Sequence, residues 1–450
     1  MKWIACTCFG WAVIGPTHAW LSSPQTSPNL LHRRRSHSRL AATSSNQNVV
    51  LQPSDDPARF DSFQIGNARV HRYSLNTDPE SQTEYVMWYH GRDAQFDSDR
   101  ALPPLSTGRI GRAKSKNGLI WVKDEQGNFS EDVPDVSLGL NKESWWGFDT
   151  AHVGLGNVLL PMSTPAVMTE GGVYLMYYMG GSFEETRMAD YLDDSKIPDN
   201  LKDATIKGMN LRIGVAVSQD GVSWGRVEGD DPTGACMVPY NKADPNQAGE
   251  PVPANMPEEL YCGWPEVVVN LVSGNKAEAF LMFYSTMLKE TKEKVIAYAI
   301  SEDGFRWFKK GLCLQPDKDG MDAAGCARCC VVRDASFDEE TLRWTEIDSW
   351  KMYYEGISLE DNKHRIMMAT SIDAQNWHKK GVILDVGAEE DAWDVAGVGS
   401  PHLVRMDDGS LRMYYTGQGK DGSTAIGVAK FVPRETDGEW IREQATISFA

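Results

Sequence analysis

The feature that most constrains the fold is an internal repeat built around an aromatic-rich strand. Each copy reads Met, aromatic, aromatic, and then continues into a turn. The five copies are YVMWYHG (85–91), YLMYYMG (174–180), FLMFYST (280–286), WKMYYEG (350–356) and LRMYYTG (411–417). A unit that recurs in this way cannot bury its apolar faces alone, so neighbouring copies must stack on one another.

A second strand follows each aromatic strand. Its copies are IGRAKS (110–115), IGVAVS (213–218), IAYAIS (296–301), IMMATS (366–371) and IGVAK (426–430). Four copies continue into a tight turn and a tryptophan, as in Ser218-x-Asp220-Gly221-x-x-Trp224. Asp-Gly between apolar runs is a strong hairpin signal, because both turn residues can adopt positive φ. We expect the repeated tryptophan to pack over its own hairpin.

A third element precedes each aromatic strand: an acidic residue, an apolar-Gly pair and a β run. Its copies begin at Asp61, Asp149, Glu258, Asp322 and Asp394, so the third copy has Glu258 in the Asp position. Each unit therefore supplies three or four antiparallel strands. Units of this kind stack radially as blades. The sequence predicts an all-β, single-domain, five-bladed β-propeller over residues 58–450, with the aromatic strands as the core between blades.

The first 48 residues read as a targeting leader. Residues 1–19 combine Lys2, a short apolar run and a small-residue break, which is typical of a signal peptide. Residues 20–48 are rich in Ser and Arg and contain no acid, which is transit-peptide composition. The pair resembles the bipartite plastid leader of algae with complex plastids, so we expect a plastid (chloroplast) location. Plain secretion with a disordered basic spacer is the alternative.

The charge balance excludes some partners. The formal charge is −18, and because the leader carries five basic and no acidic side chains, the remainder carries −23. Proteins that bind nucleic acid need a basic stripe that releases counterions from phosphates. Outside the leader no stretch approaches the ~18 apolar residues of a membrane-spanning helix. The sequence predicts neither a nucleic-acid partner nor a membrane partner, and leaves the oligomeric state open.

The cysteines do not form a recognisable metal motif. Cys326-x-x-Cys329-Cys330 is the densest cluster, but no second CxxC or paired His follows at a zinc spacing. Adjacent residues on a strand also point to opposite faces. We expect small buried residues here, and we predict no metal and no cofactor. Phosphate-loop, dinucleotide-binding and nucleophile-elbow motifs are missing from the sequence.

The repeats resemble the five-bladed propeller glycoside hydrolases of families 32, 43, 62, 68 and 130. The resemblance covers about residues 58–440 and rests on the Met-Tyr-Tyr strands, the hairpin motif and Ser400-Pro401-His402-Leu403, which is similar to Gly-Pro-His-Leu of family 43. It implies a central pocket that hydrolyses or transfers glycosidic bonds. The family places an Asp nucleophile or base in the first blade, an orienting Asp in the second and a Glu acid in the third.

These family positions lack carboxylates in this chain. The first falls on Asn67, the second on Thr164 or, in another register, on Leu155, and the third on Gly263. The resemblance therefore leaves two hypotheses. One is a carbohydrate-active enzyme that cleaves or transfers O-glycosyl bonds with other residues. The other is a non-catalytic propeller that binds a glycan or a protein partner.

Departures from the repeat supply the candidate site. The position before the apolar residue of each inner strand reads Arg69, Asn157, Glu266, Cys330 and His402, which a propeller places around one channel mouth. A glutamate beside Trp264 and Pro265 could have its acid form favoured by desolvation. We hypothesise that Glu266 is the general acid and that Trp264, Arg69 and His402 position a sugar.

The remaining candidates have structural alternatives. Asp61 or Asp149 would be the second catalytic carboxylate, although their repetition favours structural hydrogen bonds in turns. Glu266 could equally be the partner of Arg69 or Arg328, and His402 an interior histidine. Arg92-Asp93 and Arg333-Asp334 are expected to form surface ion pairs.

Overall fold

A computed structural model describes residues 48–73, 83–94, 107–125, 133, 135–160, 173–192, 203–243, 253, 256–270, 278–433 and 438–445. The predicted leader lies outside these residues except for Asn48, and so does Thr164. Apart from a 3-10 turn at Met188–Tyr191, the regular structure described is all β. No helix among the described residues is long and apolar enough to cross a membrane.

The strands follow one another along the chain with few other elements between them. The first two blades and the strand before them contain β1 (Val49–Leu51), β2 (Gln64–Tyr73), β3 (Glu84–Arg92), β4 (Arg109–Ser115), β5 (Val122–Lys123), β6 (His152–Leu159), β7 (Tyr174–Gly181), β8 (Glu185–Arg187), β9 (Thr205–Lys207), β10 (Arg212–Ser218) and β11 (Gly225–Val227). The remaining blades contain β12 (Glu259–Val269), β13 (Phe280–Leu288), β14 (Lys294–Ser301), β15 (Phe308–Leu314), β16 (Gly325–Asp338), β17 (Arg343–Ile357), β18 (His364–Ser371), β19 (His378–Leu384), β20 (Gly397–Arg405), β21 (Leu411–Gln418), β22 (Thr424–Pro433) and β23 (Gly438–Arg442).

The strands pair as five antiparallel blades, which confirms the predicted five-bladed propeller. From the innermost strand outward, the blades are β2-β3-β4-β5, β6-β7-β10-β11, β12-β13-β14-β15, β16-β17-β18-β19 and β20-β21-β22-β23. A separate ribbon, β8-β9, lies in the connection within the second blade. Each aromatic strand is second from the axis and is buried on both faces, as its nearly continuous apolar sequence requires.

Both ends of the described chain complete the fifth blade. β22 pairs with β1 through Ile426 and Gly427 and with β23 further along. Asn48 donates from Nδ2 to Tyr415 Oη (2.6 Å) and accepts from Trp393 Nε1 (3.0 Å). β1 thus precedes residue 58, where the sequence predicted that the propeller begins. Pairing the N-terminal strand into the last blade joins the two ends of the ring.

Aromatic pairs join each blade to the next. The rings meet edge to face with centroids 5.8–6.3 Å apart, in the pairs Trp88–Trp224, Tyr177–Trp307, Phe283–Trp377, Tyr353–Trp440 and Tyr414–Trp121. This geometry suits the ring quadrupoles. The hairpin tryptophan therefore packs against the preceding blade, and not only over its own hairpin as expected. β23 supplies Trp440 in the fifth blade, which lacks the hairpin motif.

A carboxylate–tyrosine–cation triad ties the strands of every blade together, and we call these triads the blade staples. A buried carboxylate at the start of the inner strand accepts from a tyrosine on the second strand (2.8–3.0 Å) and pairs with a cation on the outermost strand. The triads are Asp61–Tyr89–Lys123, Asp149–Tyr178–Arg226, Glu259–Tyr284–Lys309, Asp322–Tyr354–Lys379 and Asp394–Tyr415–Arg442. Buried charges need such pairing.

The third staple corrects the sequence alignment by one residue. Glu259, and not Glu258, occupies the Asp position, because Glu259 accepts from Tyr284. Glu258 instead pairs with the exposed Lys289 at 3.7 Å. β12 changes register between Glu259 and Cys262, which shifts the acid relative to the glycine that guided the alignment.

Three staples also stack an aromatic ring over a glycine. Phe60, Phe148 and Trp393 precede the staple carboxylates, and their rings stack on the staple tyrosines at 5.6–5.9 Å. A Cβ on the facing glycines, Gly111, Gly214 and Gly427, would overlap those rings. In the third and fourth blades the ring is replaced by Glu258 and Met321, and the glycine by Ala297 and Met367. The glycine is therefore kept where the ring needs its space.

Candidate functional site

The innermost strands all bulge at the same level. The register shifts fall at Gly66/Arg69, Leu155/Asn157, Gly263/Glu266, Ala327/Cys330 and Gly399/His402. In four blades the bulge holds a non-glycine residue with a φ of 42–50°: Asn67, Trp264, Arg328 and Ser400. A bulge bends its strand and redirects a side chain, and bulges are frequent beside functional sites. Asn67, Leu155 and Gly263, which are among the positions where the resemblance would put catalytic carboxylates, lie in this layer.

The neighbouring blade holds several of the bulges in place. The residue after the second aromatic of the preceding aromatic strand accepts the bulge N–H: Thr416 from Asn67 (2.8 Å), Ser285 from Arg328 (2.8 Å) and Glu355 from Ser400 (3.1 Å). The same position is His90 in the first blade and Met179 in the second. One position of the repeat thus carries a different side chain in every blade, and two of these side chains titrate.

Arg69, Asn157, Glu266, Cys330 and His402 form what we call the interior ring, immediately beyond the bulges. They are equivalent, because each pairs with the first aromatic of its neighbouring strand: Trp88, Tyr177, Phe283, Tyr353 and Tyr414. All are buried except His402, which is partly buried. The predicted equivalence of these positions is thus visible in the register, but the ring lies inside the protein.

Arg69 connects this ring. Its guanidinium donates to Gly156 O (2.6 Å) and Pro401 O (3.1 Å), and its Nη2 lies 3.4 Å from Glu266 Oε2. Glu266 Oε1 accepts from Val331 N at 3.2 Å. One arginine thereby links the inner strands of the first, second, third and fifth blades.

Burial changes the acidity of two ring members. Burial raises the pKa of Glu266 to about 7, although Arg69 acts in the opposite direction. Burial, followed by the positive charge of Arg69, lowers the pKa of His402 to about 3, and its Nε2 hydrogen-bonds to Val70 O at 3.0 Å. Glu266 thus holds its proton near neutrality, as a general acid does. With 3 % exposure it contacts Arg69, one of the two partners considered from the sequence.

The structure brings part of the predicted site together. Glu266, Arg69 and His402 share the interior ring, and Trp264 lies on the adjacent bulge with 9 % exposure. Asp61 and Asp149 are instead the carboxylates of the first and second blade staples. Their buried contacts are with the tyrosines and cations of their own blades and with Arg59 for Asp61.

A second group of charged residues lies on the opposite side of the bulges, at the end where the inner strands begin, and we call it the axial cluster. It comprises His90, Arg92, Arg109, His152, Arg328, Glu355 and His364. Arg92 ends β3, Arg109 begins β4, His152 begins β6 and His364 begins β18, so the strand ends bring these side chains to one end of the propeller.

Glu355 is the carboxylate of this cluster. It is fully buried, lies 3.5 Å from Arg328 Nη1 and contacts His364 Nδ1. Burial opposes its ionisation, but Arg328, His364 and the Ser400 N–H together lower its pKa. The Arg328 guanidinium also stacks over Trp264, 4.8 Å from the ring centre. Glu355 is therefore an ionised carboxylate at the bulge layer.

Basic groups from the first two blades complete the axial cluster. Burial, together with the charge of Arg328, lowers the pKa of Arg92 to about 10. Burial lowers the pKa of His152 to about 4, and its Nε2 hydrogen-bonds to Gly208 O at 2.8 Å. Arg92 and Arg328 belong to non-adjacent blades, and the charge of Arg328 nevertheless acts on Arg92. The expected surface ion pair at Arg92-Asp93 is wrong, because Arg92 is buried here.

The cysteines and arginines left over from the sequence have structural surroundings. Cys326, Cys329 and Cys330 are buried free thiols. In the part of the chain that the structure describes, no group of three or more His, Cys, Asp or Glu side chains is arranged to hold a metal ion. Arg333 stacks on Trp350 at 4.4 Å and donates to Asn270 (2.7 Å), while Asp334 pairs with Lys351 (2.7 Å).

Comparison with known proteins adds evidence on the fold. No family model matches the sequence, and no curated protein matches it. A glycosyl hydrolase from Bacteroides ovatus superposes with a TM-score of 0.53 at 14% identity, over 88% of this chain and 94% of that chain. The protein has the propeller fold of glycoside hydrolases. A further glycoside hydrolase superposes with a TM-score of 0.51 at 16% identity, over 85% of this chain and 90% of that chain.

Sequence reasoning missed the axial cluster. His90 and Glu355 occupy one column of the repeat, which reads His, Met, Ser, Glu and Thr between residues that hardly vary. Departures from the repeat on the inner strand gave the predicted site, and the same kind of departure on the aromatic strand marks this column. Arg109 and His152 left no comparable signal, because they stand where strands begin after variable connections.

Proposed function

We propose that this protein is a non-catalytic, carbohydrate-binding propeller that binds a glycan at the axial cluster and does not cleave it. One observation carries the proposal. At the three positions where the resemblance puts catalytic carboxylates, the chain has Asn67, Thr164 or (in the other register) Leu155, and Gly263, and Arg328 stacks on Trp264 nearby. The shared fold supports a carbohydrate ligand by analogy.

The groups in the cluster suit sugar recognition. Binding sites for small ligands combine apolar or aromatic surface with a few fixed polar groups. Arg328, which is stacked on Trp264, and Arg92 supply planar sets of N–H donors, and Glu355 supplies acceptor oxygens. Packing and hydrogen bonds from the adjoining strands fix these groups, so little ordering is needed when a ligand binds.

Hydrolysis or transfer of a glycosidic bond is the second candidate function. It is favoured by two glutamates whose pKa values are shifted in opposite directions. Glu266 has its pKa raised to about 7, and Glu355 has its pKa lowered. Carboxyl groups whose environments separate their pKa values are the usual acid and base of glycosidases. In this scheme Glu266 donates the proton, and Glu355 is a better second carboxylate than Asp61 or Asp149, which the staples already use.

A glycan-binding screen and an aryl-glycoside hydrolysis screen of the full chain separate these candidates. Binding without turnover supports the first proposal. Turnover that falls at least a hundredfold in both Glu266→Gln and Glu355→Gln, but not in the exposed control Glu290→Gln, supports the second. Turnover that survives both substitutions removes these acid and base assignments. If the chain neither binds nor cleaves any glycan, both proposals fail.

A further inference from the structure

In the axial cluster, one buried N–H group of His90 and one of Arg92 find no acceptor among the described residues. Arg92 Nε donates to His90 Nε2 at 2.9 Å, so the neutral His90 ring carries its proton on Nδ1. That Nδ1 and Arg92 Nη1 are both buried and have no hydrogen-bond partner among the residues that the structure describes. Arg92 itself is 8 % exposed. A buried donor without an acceptor costs about 1–3 kcal/mol, so such groups call for a ligand or ordered water.

The surrounding charge selects the kind of ligand. Arg92, Arg109, His152 and Arg328 all act on His90, and each lowers its pKa in addition to burial. The cluster carboxylate, Glu355, is turned towards Arg328 and His364. Positive groups held together in a poorly solvated place repel one another. An anion would relieve that repulsion and would accept from both unsatisfied donors.

We propose that His90 and Arg92 bind the anionic group of an acidic saccharide, a carboxylate such as a uronic acid carries. The sugar part of this assignment rests on the carbohydrate function proposed above. A guanidinium edge matches the two oxygens of a carboxylate, and charge-assisted hydrogen bonds of this type are short and strong. The His90 Nδ1–H adds a neutral donor beside that edge.

The test is calorimetric titration of the full chain at constant ionic strength. The probes are a panel of uronic-acid trimers, the same trimers with their carboxyl groups reduced to alcohols, and inorganic phosphate. We expect one or more acid trimers to bind at least tenfold more tightly than the reduced counterpart. Phosphate is expected to compete only weakly with the acid trimers, because it carries a negative charge but no sugar ring.

Three variants assign the effect to Arg92. Arg92→Gln should weaken binding of the acid trimer at least tenfold and leave any binding of the reduced trimer within about twofold. Arg92→Lys, which keeps the charge and loses the planar edge, should recover part of the affinity. Arg306→Gln removes an exposed arginine paired with Asp230 and should change nothing. If Arg92→Gln does not fold, Arg92→Lys and competition by phosphate in the parent chain still decide the matter.

The outcomes separate the two proposals. Equal binding of acid and reduced trimers overturns the anion site and leaves the carbohydrate function standing. Binding of phosphate alone, abolished in Arg92→Gln, overturns the acidic saccharide and the carbohydrate function together. Acid binding that Arg92→Gln leaves unchanged overturns the assignment to this residue. Binding of none of the probes overturns the anion site.

Discussion

The blade staples and the axial cluster are both buried networks of charged side chains, but only the staples repeat from blade to blade. Each staple joins one carboxylate, one tyrosine and one cation of the same blade. The axial cluster takes different residues from different blades, and its Arg92 and His90 keep N–H groups without acceptors among the described residues. Repetition therefore accompanies carboxylate–cation pairs of the same kind in every blade, and its loss accompanies a cluster in which cations outnumber carboxylates.

This difference separates stability from function. Each of the five blades must be stabilised, and each is stabilised by the same kind of staple. A ligand binds at a single site on the propeller axis, where each blade can contribute a different side chain. Buried polar groups that are only partly satisfied cost stability, and natural proteins retain them mainly at functional sites. We therefore expect substitutions in the staples to change stability and substitutions in the axial cluster to change binding.

The largest effect is expected for Asp149→Asn. Asp149 accepts from Tyr178 and pairs with Arg226 at 2.7 Å, so the change leaves a partly buried cation without its partner. We expect the free energy of unfolding, measured in urea, to fall by about 3 kcal/mol. Asp190→Asn, which breaks an exposed pair with Arg187, is the control and should cost less than about 0.5 kcal/mol. Full stability with lost glycan activity would return Asp149 to a catalytic role.

Glu266→Gln tests the interior ring, which belongs to neither the blade staples nor the axial cluster. The measurement is the pH dependence of the free energy of unfolding. Burial raises the pKa of Glu266 in the folded state from 4.5 to about 7. The contribution of Glu266 to folding stability is therefore fully present below pH 4.5 and is lost as pH rises towards 7. The parent should lose about 2–3 kcal/mol of stability relative to Glu266→Gln over that range. Glu355→Gln is the control of opposite sign, since its lowered pKa gives a contribution that is lost as pH falls. Parallel pH profiles for parent and Glu266→Gln would contradict the raised pKa.

Gly214→Ala tests whether the staple needs the space over its tyrosine. The added methyl would overlap Phe148 and Tyr178, and overpacking of this kind costs about 2 kcal/mol. Gly225→Ala is the matched control, because a Cβ there meets nothing within 4 Å. Thermal unfolding of both variants decides the matter. A neutral Gly214→Ala would show that the ring can move and that the stack is not required.

Asn48→Ala tests how the ring closes at the fifth staple. It removes hydrogen bonds to Tyr415 and Trp393, and we expect a loss of about 1–2 kcal/mol in urea unfolding. Any removal of the predicted leader must then leave Asn48 in place, which sequencing of the mature N-terminus would check. An unchanged midpoint in Asn48→Ala would mean that β1 contributes little to closure.

The smallest effect is expected for Trp145→Ala. Trp145 is 85 % exposed and stacks edge to face on Trp146 in the segment before β6. We expect a change in unfolding free energy below about 0.5 kcal/mol and unchanged glycan binding. A loss of binding would move the sugar site from the axial cluster to this surface segment.

The propeller could be predicted from sequence because its evidence is local and repeated. Alternation, turn residues and the spacing of aromatic strands act within each blade, and five copies average out individual exceptions. The one-residue error at Glu258 shows the limit of that averaging, since a bulge in β12 displaces the staple carboxylate to Glu259. The ring-over-glycine pairs could also be predicted from the sequence. An aromatic residue at the position of Phe148 occurs only in the blades that have a glycine at the position of Gly214.

The candidate site depended on contacts between residues far apart in the sequence. The sequence by itself determined the five blades, the inner strands and the equivalence of Arg69 and Glu266 around the ring. Only the tertiary structure decided that these two form a buried pair, that Arg92 is buried, and that the charge of Arg328, from a non-adjacent blade, acts on Arg92. The physical reason is that strand pairing follows local pattern, whereas burial and charge at the axis depend on how all five blades close.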